Sequence, residues 1–174
     1  MASTIVIYSS KYGSTKQYAE WIAADAGADI VSVEKADAKK LAAYGTIVFG
    51  ACVYVGKMRK IDFLVKNFAA LEGKKVLVFA VCSSKTGEKQ ANGIFEANIP
   101  PALRPKVEFF SLEGKIGKLD LLDSILIQAP LAAARDKYKK SGNEEDRRAL
   151  ERLEHFDGMD KKQVAPILKA MEGA

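Results

Sequence analysis

Val76-Leu77-Val78-Phe79-Ala80-Val81 is an unbroken apolar run, with Lys74-Lys75 before it and Cys82-Ser83-Ser84 after it. A strand without a polar face has to be covered on both sides, which is the situation of a strand inside a parallel sheet. Parallel neighbours are joined by crossovers, usually helical, so this run predicts a layered α/β chain.

The rest of the sequence alternates accordingly. Thr4–Tyr8, Asp29–Glu34, Thr46–Ala51 and Val107–Leu112 read as further strands around Lys75–Val81. Thr15–Ala26 reads as a helix with Tyr18 and Ile22 on one face, and Ala36–Ala43 as a short helical turn. Lys57–Leu71 places Ile61, Leu64, Val65 and Phe68 at i, i+3, i+4 and i+7, the spacing of an amphipathic helix. Thr86–Asn98 is expected to be helical until Pro100-Pro101 stops it. Right-handed crossovers then give a doubly wound sheet.

The segment after the fifth strand is an insertion of about 115–158 in a single domain spanning 1–174. An apolar stripe, Leu119 to Leu131, runs into the basic stretch Arg135–Lys140, and Pro130 is expected to kink or break a helix there. Glu144–Glu154 reads as an exposed helix. The last helix carries Val164, Ile167, Leu168 and Met171, with Asp160 as its cap and Pro166 arguing for a later start.

At 174 residues the chain can bury one core without staples. Its formal net charge of +5 comes from lysines scattered among acids, the pattern of a solvated surface rather than a nucleic-acid stripe. Two cysteines, Cys52 and Cys82, make no disulfide framework. The N-terminal stretch lacks a signal-peptide pattern, and no window reaches the ~20 apolar residues of a membrane span. The expected compartment is a reducing cytoplasm.

Ligands of doubly wound sheets sit outside the carboxyl ends of the strands. Three segments fall there. Ser9, Ser10, Lys11, Tyr12, Gly13, Ser14 and Thr15 follow the first strand and open the first helix. Their hydroxyls, with free N–H groups at a helix start, suit a phosphate monoester; the alternative is an ordinary N-cap at Ser14 or Thr15. Ala51, Cys52, Val53, Tyr54, Val55 and Gly56 form an apolar loop after the third strand, with Tyr54 available for stacking or for packing under the next helix. Cys82, Ser83, Ser84, Lys85, Thr86 and Gly87 follow the fourth strand as a small polar loop, able to face a ring edge or to cap a helix.

Taken together the three segments resemble the flavodoxin family. Ser10, Gly13 and Thr15 match that family's Thr/Ser-x-Thr-Gly-x-Thr phosphate signature, while Tyr12 departs from it. The loops at Tyr54 and at Cys82–Gly87 are similar to its two isoalloxazine-contacting loops. The resemblance implies a flavodoxin-like, five-stranded parallel sheet of order 2-1-3-4-5 with a helical insertion after the fifth strand. It implies FMN as cofactor and electron transfer as function. Gly50–Gly56 and the long insertion resemble the branch that contains the quinone-linked, oxygen-independent protoporphyrinogen dehydrogenases. That branch implies an oxidoreductase with a quinone or porphyrinogen substrate; the alternative is a small electron shuttle serving redox partner proteins. The insertion at 117–140 either touches a membrane surface, covers the flavin, or packs on its own domain.

Several candidates carry no role in this reading. His155, the only histidine, lies in a charged segment far from the three loops and is expected at the surface. Cys52 and Cys82 are expected to pack as small apolar groups, since a redox pair needs Cα atoms within about 7 Å. No residues have zinc spacing, and no side chain is assigned an acid–base role. A phosphorylatable receiver needs an aspartate at the end of its third strand, where this chain has Gly50-Ala51.

Overall fold

The computed structural model describes residues 3–83, 86–116 and 121–172. Six strands form the sheet: β1 (Thr4–Ser9), β2 (Asp29–Ser32), β3 (Thr46–Tyr54), β4 (Lys57–Met58), β5 (Lys75–Cys82) and β6 (Glu108–Glu113). The order is β2-β1-β3-β5-β6, and β4 pairs only with β3. Every pair along that path is parallel. This is the expected 2-1-3-4-5 order, with β4 an added hairpin strand.

Alternation along the strands builds two cores. Val6, Val48 and Leu77 are in register and face one side, where Tyr18 and Ile22 of α1 (Ser14–Ala26) and Ile167 of α6 (Ala165–Glu172) cover them. Ile7, Phe49 and Val78 face the other side, against Leu64 of α2 (Ile61–Lys66) and Ile94 of α3 (Glu88–Asn98). Each fully buried aliphatic or phenyl side chain contributes about 1.5–3 kcal/mol. At Gly50 there is no room for one: a Cβ would lie 2.0 Å from Cζ of Phe79.

Three expectations are corrected. Gly50–Gly56 is not a free loop, because β3 runs on to Tyr54 and turns back through Val55-Gly56 into β4. The helix expected from Lys57 therefore starts at Ile61, and a 3-10 turn at Phe68–Leu71 completes it. Its apolar spacing survives, since Ile61, Leu64 and Phe68 are buried. Third, Pro130 does not end a helix: α4 (Leu121–Ser141) runs through it. Proline withholds one intrahelical N–H bond, and the 21-residue helix packs on α5 (Glu144–His155).

The α4–α5 hairpin has a defined corner. Asn143 caps α5, its side chain accepting from the Asp146 N–H at 2.8 Å. The buried Asp146 carboxylate accepts from the Ser141 hydroxyl at 2.6 Å and pairs with Lys137 at 2.7 Å. Arg135 pairs with Glu154 at 2.7 Å. Two cations of the basic stretch are thus spent inside the hairpin. At the C-terminus Asp160 caps a 3-10 turn, Lys161–Val164, and α6 starts later, at Ala165, as Pro166 requires.

Candidate functional site

Ser9, which ends β1, is in register with Ala51, Ala80 and Ser111, and the other three strands run two or three residues further. Immediately beyond them lies a cleft of about 420 Å³. Ser10, Lys11, Tyr12, Ser14 and Thr15 line one end, Cys52, Val53, Tyr54 and Val55 another wall, and Val81, Cys82 and Ser83 the floor between. The three segments singled out in the sequence do converge.

The first segment is open for a ligand. Gly13 precedes α1 with φ 94°, a conformation that favours glycine, and no side chain caps the helix. Ser10 Oγ instead accepts from the Gly13 N–H at 3.1 Å, and Ser14 Oγ accepts from the Lys115 N–H at 3.3 Å. The N–H groups of the first helical turn have no acceptor within the helix. Thr15 is completely buried and its hydroxyl has no hydrogen-bond partner among the described residues; the same holds for Ser9. An unpaired buried hydroxyl costs about 1–3 kcal/mol. At a helix N-terminus that cost is recovered when an anion accepts a hydrogen bond from the hydroxyl.

The second segment gains its shape from the hairpin. Val55 and Gly56 both have positive φ, 47° and 75°, as a two-residue turn of this hand demands. Tyr54 stands at the mouth, 41% exposed, and Val55 at the tip, 82% exposed. The ammonium of Lys11 reaches over the Tyr54 ring, 5.0 Å from its centroid.

The cysteines are not a redox pair. Cys52 is opposite Val81 in register, so it shares that residue's face, while Cys82, one residue on, points to the other. Both are free thiols. Burial pushes both thiols up from their ordinary pKa, against weaker opposing contacts from Lys11 and Arg59 at Cys52 and from Thr86 and Ser111 at Cys82. They are protonated at neutral pH and not poised as nucleophiles.

Other residues named from sequence sit beside the cleft rather than in its lining. Ser9 is buried at the end of β1 and Ala51 within β3, Gly13 and Gly56 form turns, and Thr86-Gly87 lead into α3. Ser84 and Lys85 lie outside the described residues. His155 is exposed at the end of α5. Among the described residues no group of three His, Cys, Asp or Glu side chains is placed to hold a metal ion.

The cleft has a fourth wall, of which the sequence reading named no site residue, although covering the flavin was one of the roles it kept open for the insertion. Gly114, Lys115 and Ile116 follow β6, and Ile127, Pro130 and Leu153 come from the α4–α5 hairpin. The signal was available: the rule that ligands sit beyond strand carboxyl ends applies to the last strand as well. Among the described residues the lining carries two lysines, Lys11 and Lys115, and no carboxylate.

A doubly wound parallel sheet with an uncapped, hydroxyl-lined helix start and an aromatic wall over one cleft defines an α/β protein with a candidate anion-binding cleft. The flavodoxin-domain family matches residues 5–141, and the chain belongs to that family. No curated protein sequence matches it. Similar solved structures include oxidised flavodoxin 2 from Bacillus cereus, at 24% identity over 68% of this chain and 88% of that one, TM-score 0.45. A WrbA-like flavodoxin from Agrobacterium tumefaciens is 18% identical over 71% and 88%, TM-score 0.47. Two-electron reduced Megasphaera elsdenii flavodoxin is 22% identical over 62% and 82%, TM-score 0.44. The family implies FMN, and the orphaned Thr15 hydroxyl beside an uncapped helix start fits its phosphate.

Proposed function

We infer that this chain is an FMN-dependent oxidoreductase that passes electrons between its cofactor and a partner bound at the cleft. Bound there, FMN supplies reversible one- and two-electron transfer. Ser10, Ser14, Thr15 and the first-turn amides of α1 hold the phosphate. Tyr54 and Val55 form one wall for the ring system, and Cys82 and Ser83 its floor. Lys11 and Lys115 add positive charge without a neighbouring carboxylate in the lining. The observation that carries the reading is the buried, unpartnered Thr15 hydroxyl at the uncapped start of α1.

The apolar wall of Ile127, Pro130 and Leu153 favours an enzyme with its own small substrate. A quinone, or a porphyrinogen as in the protoporphyrinogen-dehydrogenase branch, offers the flat apolar surface such a wall accepts. The exposed edge at Tyr54 and Val55 favours the second reading, a shuttle for redox proteins. No helix among the described residues is long and apolar enough to cross a membrane; Ile125, 60% exposed on α4, is one exposed apolar group on the insertion.

Anaerobic stopped-flow separates the two. The reduced holoprotein is mixed with a short-chain quinone or with a soluble redox protein. The enzyme reading predicts saturable reoxidation by the quinone, slowed by Ile127→Asp. Reoxidation by the redox protein alone, unchanged by Ile127→Asp, sinks it in favour of the shuttle.

A further inference from the structure

We propose that Asn98, outside the cleft, is a positioning residue for the cofactor wall: its carboxamide locks the Val55-Gly56 turn that presents Tyr54 and Val55. This rests on the FMN reading of the cleft.

The turn needs a lock. A β-branched residue at φ 47° is a backbone outlier. Two-residue hairpin turns of this hand favour Asn-Gly or Asp-Gly, which adopt positive φ with little strain. Val55 is there instead, and it is both the most exposed large apolar residue described and part of the cleft lining. Strain of this kind persists only where the surroundings over-determine the conformation.

Asn98 supplies that over-determination. It is the last residue of α3 and 8% exposed. Its Oδ1 accepts from the Met58 N–H at 2.8 Å, and its Nδ2 donates to the Gly56 carbonyl at 2.9 Å and the Ile94 carbonyl at 2.8 Å. The side chain therefore grips the turn residue Gly56 and the β4 residue Met58 that follows it, and anchors itself to its own helix. One donor partner and two acceptor partners fix the amide orientation without ambiguity. The Lys57 ammonium makes a second tie, donating to the Ala97 carbonyl at 2.9 Å. Aspartate at position 98 would aim an acceptor at two carbonyls, so only the amide satisfies all three groups.

The lock acts on the cofactor through geometry. Tyr54 pairs with Lys57 and Val53 with Met58, so a turn that loosens shifts the whole wall. A wall held in place before binding lowers the ordering cost of binding.

The test combines Asn98→Ala, Asn98→Asp and Val55→Asn. In the apoprotein, the backbone carbon shifts of Val55 and amide exchange at Met58 read the turn directly. Asn98→Ala is expected to move Val55 out of the left-handed region and speed exchange at Met58. FMN affinity is expected to fall about tenfold, the size of one lost buried hydrogen bond. Asn98→Asp should behave alike, because it keeps one bond and loses two. Val55→Asn relieves the strain: it is expected to fold and to raise Tm, and in its background Asn98→Ala should weaken FMN binding less. Wild-type shifts at Val55 in folded Asn98→Ala would overturn the proposal. So would a lowered Tm for Val55→Asn, or an FMN affinity in folded Asn98→Ala equal to wild type. Failure of wild type to bind FMN overturns the cofactor reading, and with it the link from turn to cofactor, while the shift and exchange data still decide the lock.

Discussion

The ammonium of Lys11 lies 5.0 Å from the ring centroid of Tyr54 and 5.2 Å from that of Tyr12. A residue of the phosphate segment thus touches the aromatic wall of a different segment, and the two halves of the cleft are coupled before any ligand enters. A cation over an exposed ring contributes about 0.5–1 kcal/mol.

Lys11→Ala removes that coupling and one of two positive charges in the lining. FMN affinity is expected to fall about three- to tenfold, with a smaller loss at high salt because the lost term is partly screened Coulomb attraction. Fluorescence titration at two ionic strengths checks it. An affinity equal to wild type at low salt contradicts the account.

Thr15→Val separates binding from folding. Valine has nearly the same shape and removes a buried hydroxyl that lacks a partner, so the apoprotein should be unchanged or stabilised. FMN affinity should fall about ten- to hundredfold, the value of a hydrogen bond to a charged group. Loss of apoprotein stability with unchanged affinity would mean that the hydroxyl serves the fold.

Gly50→Ala should damage the fold rather than the site chemistry. The new Cβ meets the Phe79 ring at 2.0 Å, in a strand with neighbours on both sides, where neither backbone nor ring has free space. Overpacking of this severity costs about 3 kcal/mol or more. The denaturant midpoint should drop with little change in the slope.

The α4–α5 corner gives a pH dependence. The Lys137 ammonium hydrogen-bonded to Asp146, followed by the Ser141 hydroxyl, holds that carboxyl below the usual aspartate range. A depressed carboxyl adds stability that is complete above the unfolded value, about 3.9, and is lost as pH falls through the folded value. Amide protection in α5 should therefore hold from pH 7 to 5 and decline only below about pH 4. Asp146→Asn should show reduced protection already at pH 7. Loss of wild-type protection between pH 7 and 5 contradicts this.

Much of the fold was legible because its main signal is one-dimensional. The run Val76–Val81 has no polar face, and the structure buries every residue of it. The place of Ser10–Thr15 at the cleft was legible because hydroxyls, a glycine and a helix start are adjacent in sequence. The β4 hairpin was not, because Val55-Gly56 lacks the Asn-Gly signature of its turn and is held from outside by Asn98. Pro130 misled for a similar reason: α4 packs on α5, beyond any local window. The fourth wall of the cleft was hidden because Leu153 reaches it from a helix whose sequence is mostly charged.

The most direct test of the central claim is a visible absorption titration of the purified protein with FMN and, in parallel, with riboflavin, each followed by desalting. The account predicts that FMN stays bound with shifted flavin bands, while riboflavin, which lacks the phosphate, washes away. Loss of both flavins, or equal retention of riboflavin, would contradict the assignment of Ser10–Thr15 as the phosphate anchor.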